Sequence, residues 1–315
     1  MSAVEARGNE RVFAQLKAAV SRPGFQRTLL FSGPDGVGRR RAATWLAAYL
    51  NCLASEDERP CGVCASCRAV AAGESLDYRE VVPSTTSRSG RARHRGEIRI
   101  GQLVPRERET EPDPLVPWLE ARPHGRYRVA VVDDAHTINA SAANAFLKTL
   151  EEPPAHAVII LVAPGPEALM PTVASRAVNF RFAAVPLADA EMPGHPGVRL
   201  GQPGLLELAK ANREATDEAR AAAEALMDSV RGDLLQALEG AEELSKALSS
   251  ATIEGAQPGP LGWLREAVRS LPPAAYAETL DHLNDLEDAL AAYANAGLAC
   301  ATFALRLRAT VANVL

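Results

Sequence analysis

Two short segments and one cluster of cysteines have the residue types and spacing that chemistry requires. Gly33-Pro34-Asp35-Gly36-Val37-Gly38-Arg39-Arg40 follows the apolar run Thr28 to Phe31 and has the glycine spacing of a P-loop. In a working P-loop, backbone N–H groups cradle phosphates, a lysine reaches the outer phosphates and a serine or threonine hydroxyl ligates magnesium. Here Arg39 stands where the lysine belongs and Arg40 where the hydroxyl belongs. A guanidinium has no lone pair for a metal, and its charge repels one. Gly33, Gly36, Gly38 and Arg39 therefore read as a vestigial phosphate cradle, with ATP binding weak or absent and no hydrolysis. A glycine-rich turn between strand and helix can equally be purely structural.

The second segment is Val129-Ala130-Val131-Val132-Asp133-Asp134, an apolar strand that ends in two acids. ATPases end their Walker B strand this way: the first acid supports magnesium, and a following acid, usually glutamate, orients the attacking water. Asp134 is one methylene short for that second task, so the pair reads as vestigial too. The bland alternative is that both acids cap the next helix.

Cys52, Cys61, Cys64 and Cys67 have the spacing C-x8-C-x2-C-x2-C, and the fifth cysteine, Cys300, lies far away. Four thiolates on short loops suit tetrahedral zinc, and such a closed set leaves no position for substrate, so the metal would be structural. An iron-sulfur cluster competes, since C-x2-C-x2-C also opens ferredoxin motifs, but no Cys-Pro follows after three residues. A redox C-x-x-C pair would need a thioredoxin-like context that is missing. The clustering points to a metal in a reducing compartment and away from a disulfide framework.

After the two acids comes Asn144-Ala145-Phe146-Leu147-Lys148-Thr149-Leu150-Glu151-Glu152-Pro153-Pro154. It resembles the Asn-Ala-Leu-Leu-Lys-Thr-Leu-Glu-Glu-Pro-Pro signature of bacterial clamp-loader AAA+ subunits, with only Phe146 departing. Downstream, Ser175-Arg176-Ala177 is similar to the family's Ser-Arg-Cys motif, with Ala177 in place of the cysteine. The resemblance implies that Arg176 acts in trans as an arginine finger, reaching the ATP of a neighbouring subunit to stabilise charge on the transferring phosphate. It also implies a hetero-pentameric ring with gamma/tau and delta types of subunit, and contact with the sliding clamp and primed DNA through that complex. Subunits of the delta-prime and gamma/tau types share the cysteine knot, and the broken P-loop resembles the delta-prime type, which does not hydrolyse ATP. The alternative is an ATP-hydrolysing subunit of the gamma/tau type.

These residues need a scaffold, and the chain supplies one in two styles. Up to Phe182, short strand-like segments (Thr28 to Phe31, Tyr78 to Val82, Val129 to Val132, Val158 to Val162, Val178 to Phe182) alternate with helical segments (Val12 to Ser21, Arg41 to Cys52, Ala140 to Leu150, and one near Glu167 to Ser175). That alternation implies an α/β fold with a parallel sheet covered on both faces. The stretch from Pro83 to Glu111 holds seven Arg against four Glu among Ser and Gly, and most of it reads as a mobile surface loop. From Ala183 to Gly204 four prolines and four glycines break regular structure. Beyond that only helices are expected, with Leu226, Val230, Leu234 and Leu238 recurring at fours. The resulting organisation is an AAA+ P-loop-type core over residues 1–182 with the zinc knot at 52–67, a reduced lid or linker over 183–210, and an all-α collar for oligomerisation over 211–315.

Composition narrows the partners. The 34 basic and 39 acidic side chains give a formal charge of -5, too acidic for a free-standing nucleic-acid binder. The cluster from Arg88 to Arg99 is the one feature favouring a zinc-dependent DNA binder, and a solvated loop is the plainer reading of it. No apolar run is long enough to span a membrane and the N-terminus lacks an apolar signal core, so a cytoplasmic protein is expected.

Overall fold

Thr28–Ser32 (β1) carries no charge and is buried at all five positions. A strand hidden on both faces must lie between two layers. In the computed structural model, which describes residues 9–86, 92–105, 113–185, 202, 209–249, 259–291 and 295–312, β1 sits inside a five-stranded sheet. Its neighbours are Ala157–Ala163 (β6) on one side and Val178–Arg181 (β7) on the other. Beyond β6 come Arg128–Val132 (β5) and then Tyr78–Val81 (β2) at the far edge, and every pairing is parallel.

Side chains alternate across the strands, so each strand feeds two cores. Leu29, Phe31, Val129, Val131, Val158 and Ile160 face the layer formed by Glu10–Val20 (α1), Arg39–Asn51 (α2) and Ala65–Ala72 (α3). Leu30, Ala130, Val132, Ile159 and Leu161 face the opposite layer, where Phe146 and Leu150 of Ala140–Glu151 (α6) are packed with Leu115 and Leu119 of Leu115–Glu120 (α5). The expected α/β sheet with helices on both faces is the observed one.

Two sequence expectations need correction. Within the stretch from Pro83 to Glu111, expected to be mostly loop, Ser84–Thr86 (β3) pairs antiparallel with Ala92–Glu97 (β4), and Ile100–Leu103 (α4) follows. Ile98 and Leu103 are completely buried. A few apolar residues among many arginines were enough to anchor the segment, a detail that averaging over composition conceals. Residues 87–91 and 106–112 lie outside the described residues. The helix expected near Glu167 to Ser175 is instead a 3-10 turn, Pro166–Ala168, followed by one short helix, Pro171–Ala174 (α7). Each begins on a proline, which lacks the N–H that a continuous helix would need there.

The chain divides into two compact units, Met1–Val185 and Pro186–Leu315. In the second, Arg213–Ser229 (α8), Leu234–Ser249 (α9), Pro260–Ala267 (α10), Pro273–Ala291 (α11) and Ala296–Ala312 (α12) enclose Leu226, Leu244, Trp263, Leu283 and Phe303. The leucine row at fours is split: Leu226 and Val230 are buried, but Leu234 and Leu238 are 53% and 37% exposed. Asp233 explains the break. Its carboxylate accepts from the Gln236 N–H at 2.9 Å and its own N–H donates to the Gln236 side chain at 2.9 Å, a reciprocal cap that starts a new helix. Most of the expected lid, residues 186–201 and 203–208, lies outside the described residues. Among the described residues, no helix is long and apolar enough to cross a membrane.

Candidate functional site

The glycine turn hangs from the C-terminal end of β1. Gly33 has a φ of 146°, and a Cβ there would run into the carbonyl oxygen of Phe182, so the position requires glycine. Its N–H donates to the Pro164 carbonyl at 2.9 Å, tying the turn to the chain just beyond β6. Gly38, with a φ of 93°, opens α2.

The two arginines that follow are already engaged. Arg39 is 7% exposed and its guanidinium is paired with Asp35 inside the turn, so the loop provides its own anion. Arg40 is paired with Glu80 on β2 and lies 3.7 Å from Asp133 at the end of β5. Burial pulls the Arg40 pKa down, but Glu80 and Asp133 outweigh it and hold the group firmly charged. Burial and the neighbouring Asp134 raise the Asp133 carboxyl above its ordinary value, with Arg40 opposing them. Asp134 adopts a left-handed conformation, with a φ of 47°, and its side chain caps nothing. The structure thus brings Arg40 and Asp133 together. Glu80 and Asp35, their and Arg39's partners, went unread in the sequence. Asp35 and Arg39 are four residues apart, a spacing that signals pairing, whereas Glu80 meets Arg40 only through the sheet.

Cys52 follows α2, while Cys61, Cys64 and Cys67 lie on the loop leading into α3 and on its first turn. Their four sulfur atoms all lie within 4.8 Å of one another, and Cys52 and Cys64 are 4.0 Å apart. A tetrahedral ion at about 2.3 Å from each thiolate separates its ligands by about 3.8 Å, so the set fits one metal ion. Backbone N–H groups of Cys61, Cys64 and Cys67 each point at a sulfur of the preceding cysteine, at 3.4 Å. Burial acts to raise the Cys64 thiol, but N–H groups of Leu53 and Cys67 and the neighbouring thiols outweigh it and bring it down to about 6. Burial pushes the Cys67 thiol up. Cys52 and Cys67 are fully buried against α2, so the cluster is part of the core on that face.

Arg176 lies between α7 and β7, remote in sequence from the glycine turn and on the far side of β1 from β5 in sheet order. Its guanidinium is partly exposed at 28%. The Arg176 carbonyl accepts from the Gln26 amide at 2.7 Å, which fixes the backbone. Nothing in the chain's own glycine turn contacts it among the bonds described.

Comparison with known proteins agrees with these elements. The sequence matches the family described as DNA polymerase III, delta subunit, over residues 8–186. A DNA polymerase III subunit gamma/tau of Mycobacterium bovis is 35% identical over 187 residues, covering 59% of this chain and 29% of that protein. The DNA polymerase III subunit tau of Escherichia coli is 32% identical over 188 residues, covering 60% of this chain and 26% of that one. The chain thus spans less than a third of the length of these curated relatives. A solved structure described as a DNA polymerase III, gamma subunit-related protein from Thermotoga maritima gives a TM-score of 0.54 at 17% identity, covering 95% of this chain and 98% of that one, a likeness of fold. Since the family match takes in more than half of the chain, the protein belongs to the DNA polymerase III, delta subunit family, within the clamp-loader AAA+ group that its motifs resemble.

Proposed function

We propose that this chain is a non-hydrolysing subunit, of the delta-prime type, in a bacterial sliding-clamp loader. In this reading it sits in a hetero-pentameric ring with gamma/tau and delta types of subunit. It offers Arg176 to the ATP of a neighbour while the complex loads the clamp onto primed DNA. Cys52, Cys61, Cys64 and Cys67 hold a structural zinc ion, chosen over other metals because four thiolates at tetrahedral spacing are its preferred set.

The observation that carries the proposal is the pairing of Arg40 with Glu80, 3.7 Å from Asp133. Hydrolysis needs magnesium held between a loop hydroxyl and the acid at the end of the strand. Here a guanidinium occupies that neighbourhood, satisfying the acids and repelling any divalent ion. The Asp35–Arg39 pair acts in the same direction at the phosphate position, since a ligand phosphate must displace a carboxylate already in place. What remains useful is a stable fold and an arginine presented outward. The gamma/tau relatives favour an ATP-hydrolysing subunit as the second reading. Against it stand Arg39, Arg40 and the short Asp134.

The decisive comparison is between the chain alone and the chain assembled with gamma/tau-type and delta-type partners. Alone, it should show no magnesium-dependent ATP turnover. In the complex, Arg176→Ala should slow turnover at the one neighbouring site by about 10³-fold or more, the effect of losing an arginine finger, while leaving the melting temperature in place. Turnover by the isolated chain would favour the gamma/tau-type reading. Unchanged turnover in the Arg176→Ala complex would remove Arg176 from the mechanism.

A further inference from the structure

Arg176 is held from its own side of the boundary. Its Nε donates to Glu151 Oε1 at 2.6 Å, and Nη2 is paired with the same oxygen. Nη1 donates to the Thr172 carbonyl at 2.6 Å, with the Ser175 hydroxyl at 3.4 Å. Glu151 is the last residue of α6, the helix that begins beside the Asp133–Asp134 turn, so the carboxylate is carried on a rigid element and not on a loop.

We infer that Glu151 is the positioning residue for Arg176, an inference that rests on the reading of Arg176 as a finger. A guanidinium has five N–H donors. Glu151 takes the Nε hydrogen and pairs with Nη2, and Thr172 and Ser175 take those on Nη1, which leaves the outer hydrogen of Nη2 for an anion arriving from outside. A long, flexible side chain is thereby fixed in one orientation before a phosphate meets it, and catalysis by a charged donor depends on such orientation. Stability does not account for the contact. Glu151 is 48% exposed and Arg176 28%, and ion pairs at such positions contribute little to folding. The hydrogen bond from Nε and the ion-pair contact of Nη2 fall on one oxygen, so what Arg176 requires of residue 151 is an acceptor at that place, and an amide oxygen can supply it.

The test uses the assembled complex with ATP as the probe, and compares Glu151→Ala, Glu151→Gln, Arg176→Ala and the Glu151→Ala/Arg176→Ala double variant. Glu151→Ala should lower kcat at the neighbouring site by about 10-fold with KM for ATP altered less than about 2-fold, because orientation and not ground-state binding is lost. Glu151→Gln should recover most of that loss. The double variant should be no slower than Arg176→Ala, since a positioning residue has nothing to act on once its arginine is gone. If Arg176→Ala is slow but Glu151→Ala behaves as the parent, or is faster because the carboxylate was withholding the guanidinium, the inference is overturned and the finger reading stands. Additive losses in the double variant would make Glu151 merely structural and overturn it too. A normal rate for Arg176→Ala overturns both.

Discussion

Asp133 is a carboxylate in surroundings that disfavour its charge. Burial raises its pKa first and the adjacent Asp134 second, and Arg40 only partly offsets them. With the native pKa above the ordinary 3.8, the folded protein keeps its proton at pH values where the unfolded chain has lost it. The resulting stabilisation is complete below the unfolded pKa and disappears as pH rises through the folded one, so at neutral pH the ionised group is a net cost. Asp133→Asn should therefore raise the melting temperature at pH 7. It should also flatten the decline in stability with pH just above the usual carboxylate range. Thermal unfolding from pH 4 to 8 would measure both, and a variant that melts lower at pH 7 would show that Asp133 is needed to neutralise Arg40. At this scale the sequence was legible where the partner is local, as with Asp35 and Arg39, four residues apart. It was opaque where partners come together only through the sheet, as with Glu80 and Arg40, or through two helix ends, as with Glu151 and Arg176.

Among elements, the cysteine cluster has the clearest energetic consequence. Cys52 and Cys67 are fully buried at the junction of α2 and α3, and Cys67 lies 3.9 Å from the Ala48 carbonyl. Four thiols brought together without a cation would have to stay protonated or repel one another, whereas a bound zinc ion, as proposed above, would make their assembly favourable and add its binding free energy to folding. Chelation, or Cys61→Ser, should lower the melting temperature of the first unit by about 5 °C or more, the response expected for a loss of 2 kcal/mol or more in a unit of this size. An unaltered transition after zinc removal confirmed by elemental analysis would leave the cluster without a metal-dependent role. The spacing of the cysteines made this site readable, because ligand count and loop length are local properties. The β3–β4 hairpin was not readable. Its anchoring depends on Ile98 reaching a hydrophobic core made by residues distant in the chain, and on the Asn139 amide donating to Glu97 at 2.8 Å. Periodicity carries no trace of either contact. The three central strands, β1, β5 and β6, were plain from their apolar runs, since burial on both faces leaves a continuous signature.

For the molecule as a whole, charge sets what it can do unaided. A protein that binds duplex nucleic acid does so mainly by replacing condensed counterions with its own Lys and Arg, and affinity then falls steeply with salt. This chain has 39 acidic against 34 basic side chains, a balance of -5, so long-range attraction to DNA is unfavourable before any local contact is made. The arginines between Arg88 and Arg99 work against that background, and Arg99 lies just after the hairpin and before α4. A cluster of this size yields at most weak, salt-sensitive binding unless other subunits add cations along the same path. The isolated chain should accordingly bind a primed duplex no more tightly than about 10 μM at about 150 mM salt, within the range of non-specific association. Fluorescence anisotropy with a labelled primer–template, alone and with the gamma/tau-type and delta-type partners present, separates a shared DNA surface from a private one. Submicromolar binding by the chain alone, weakening steeply with salt and abolished by neutralising the arginines between Arg88 and Arg99, would make it a DNA-binding protein in its own right.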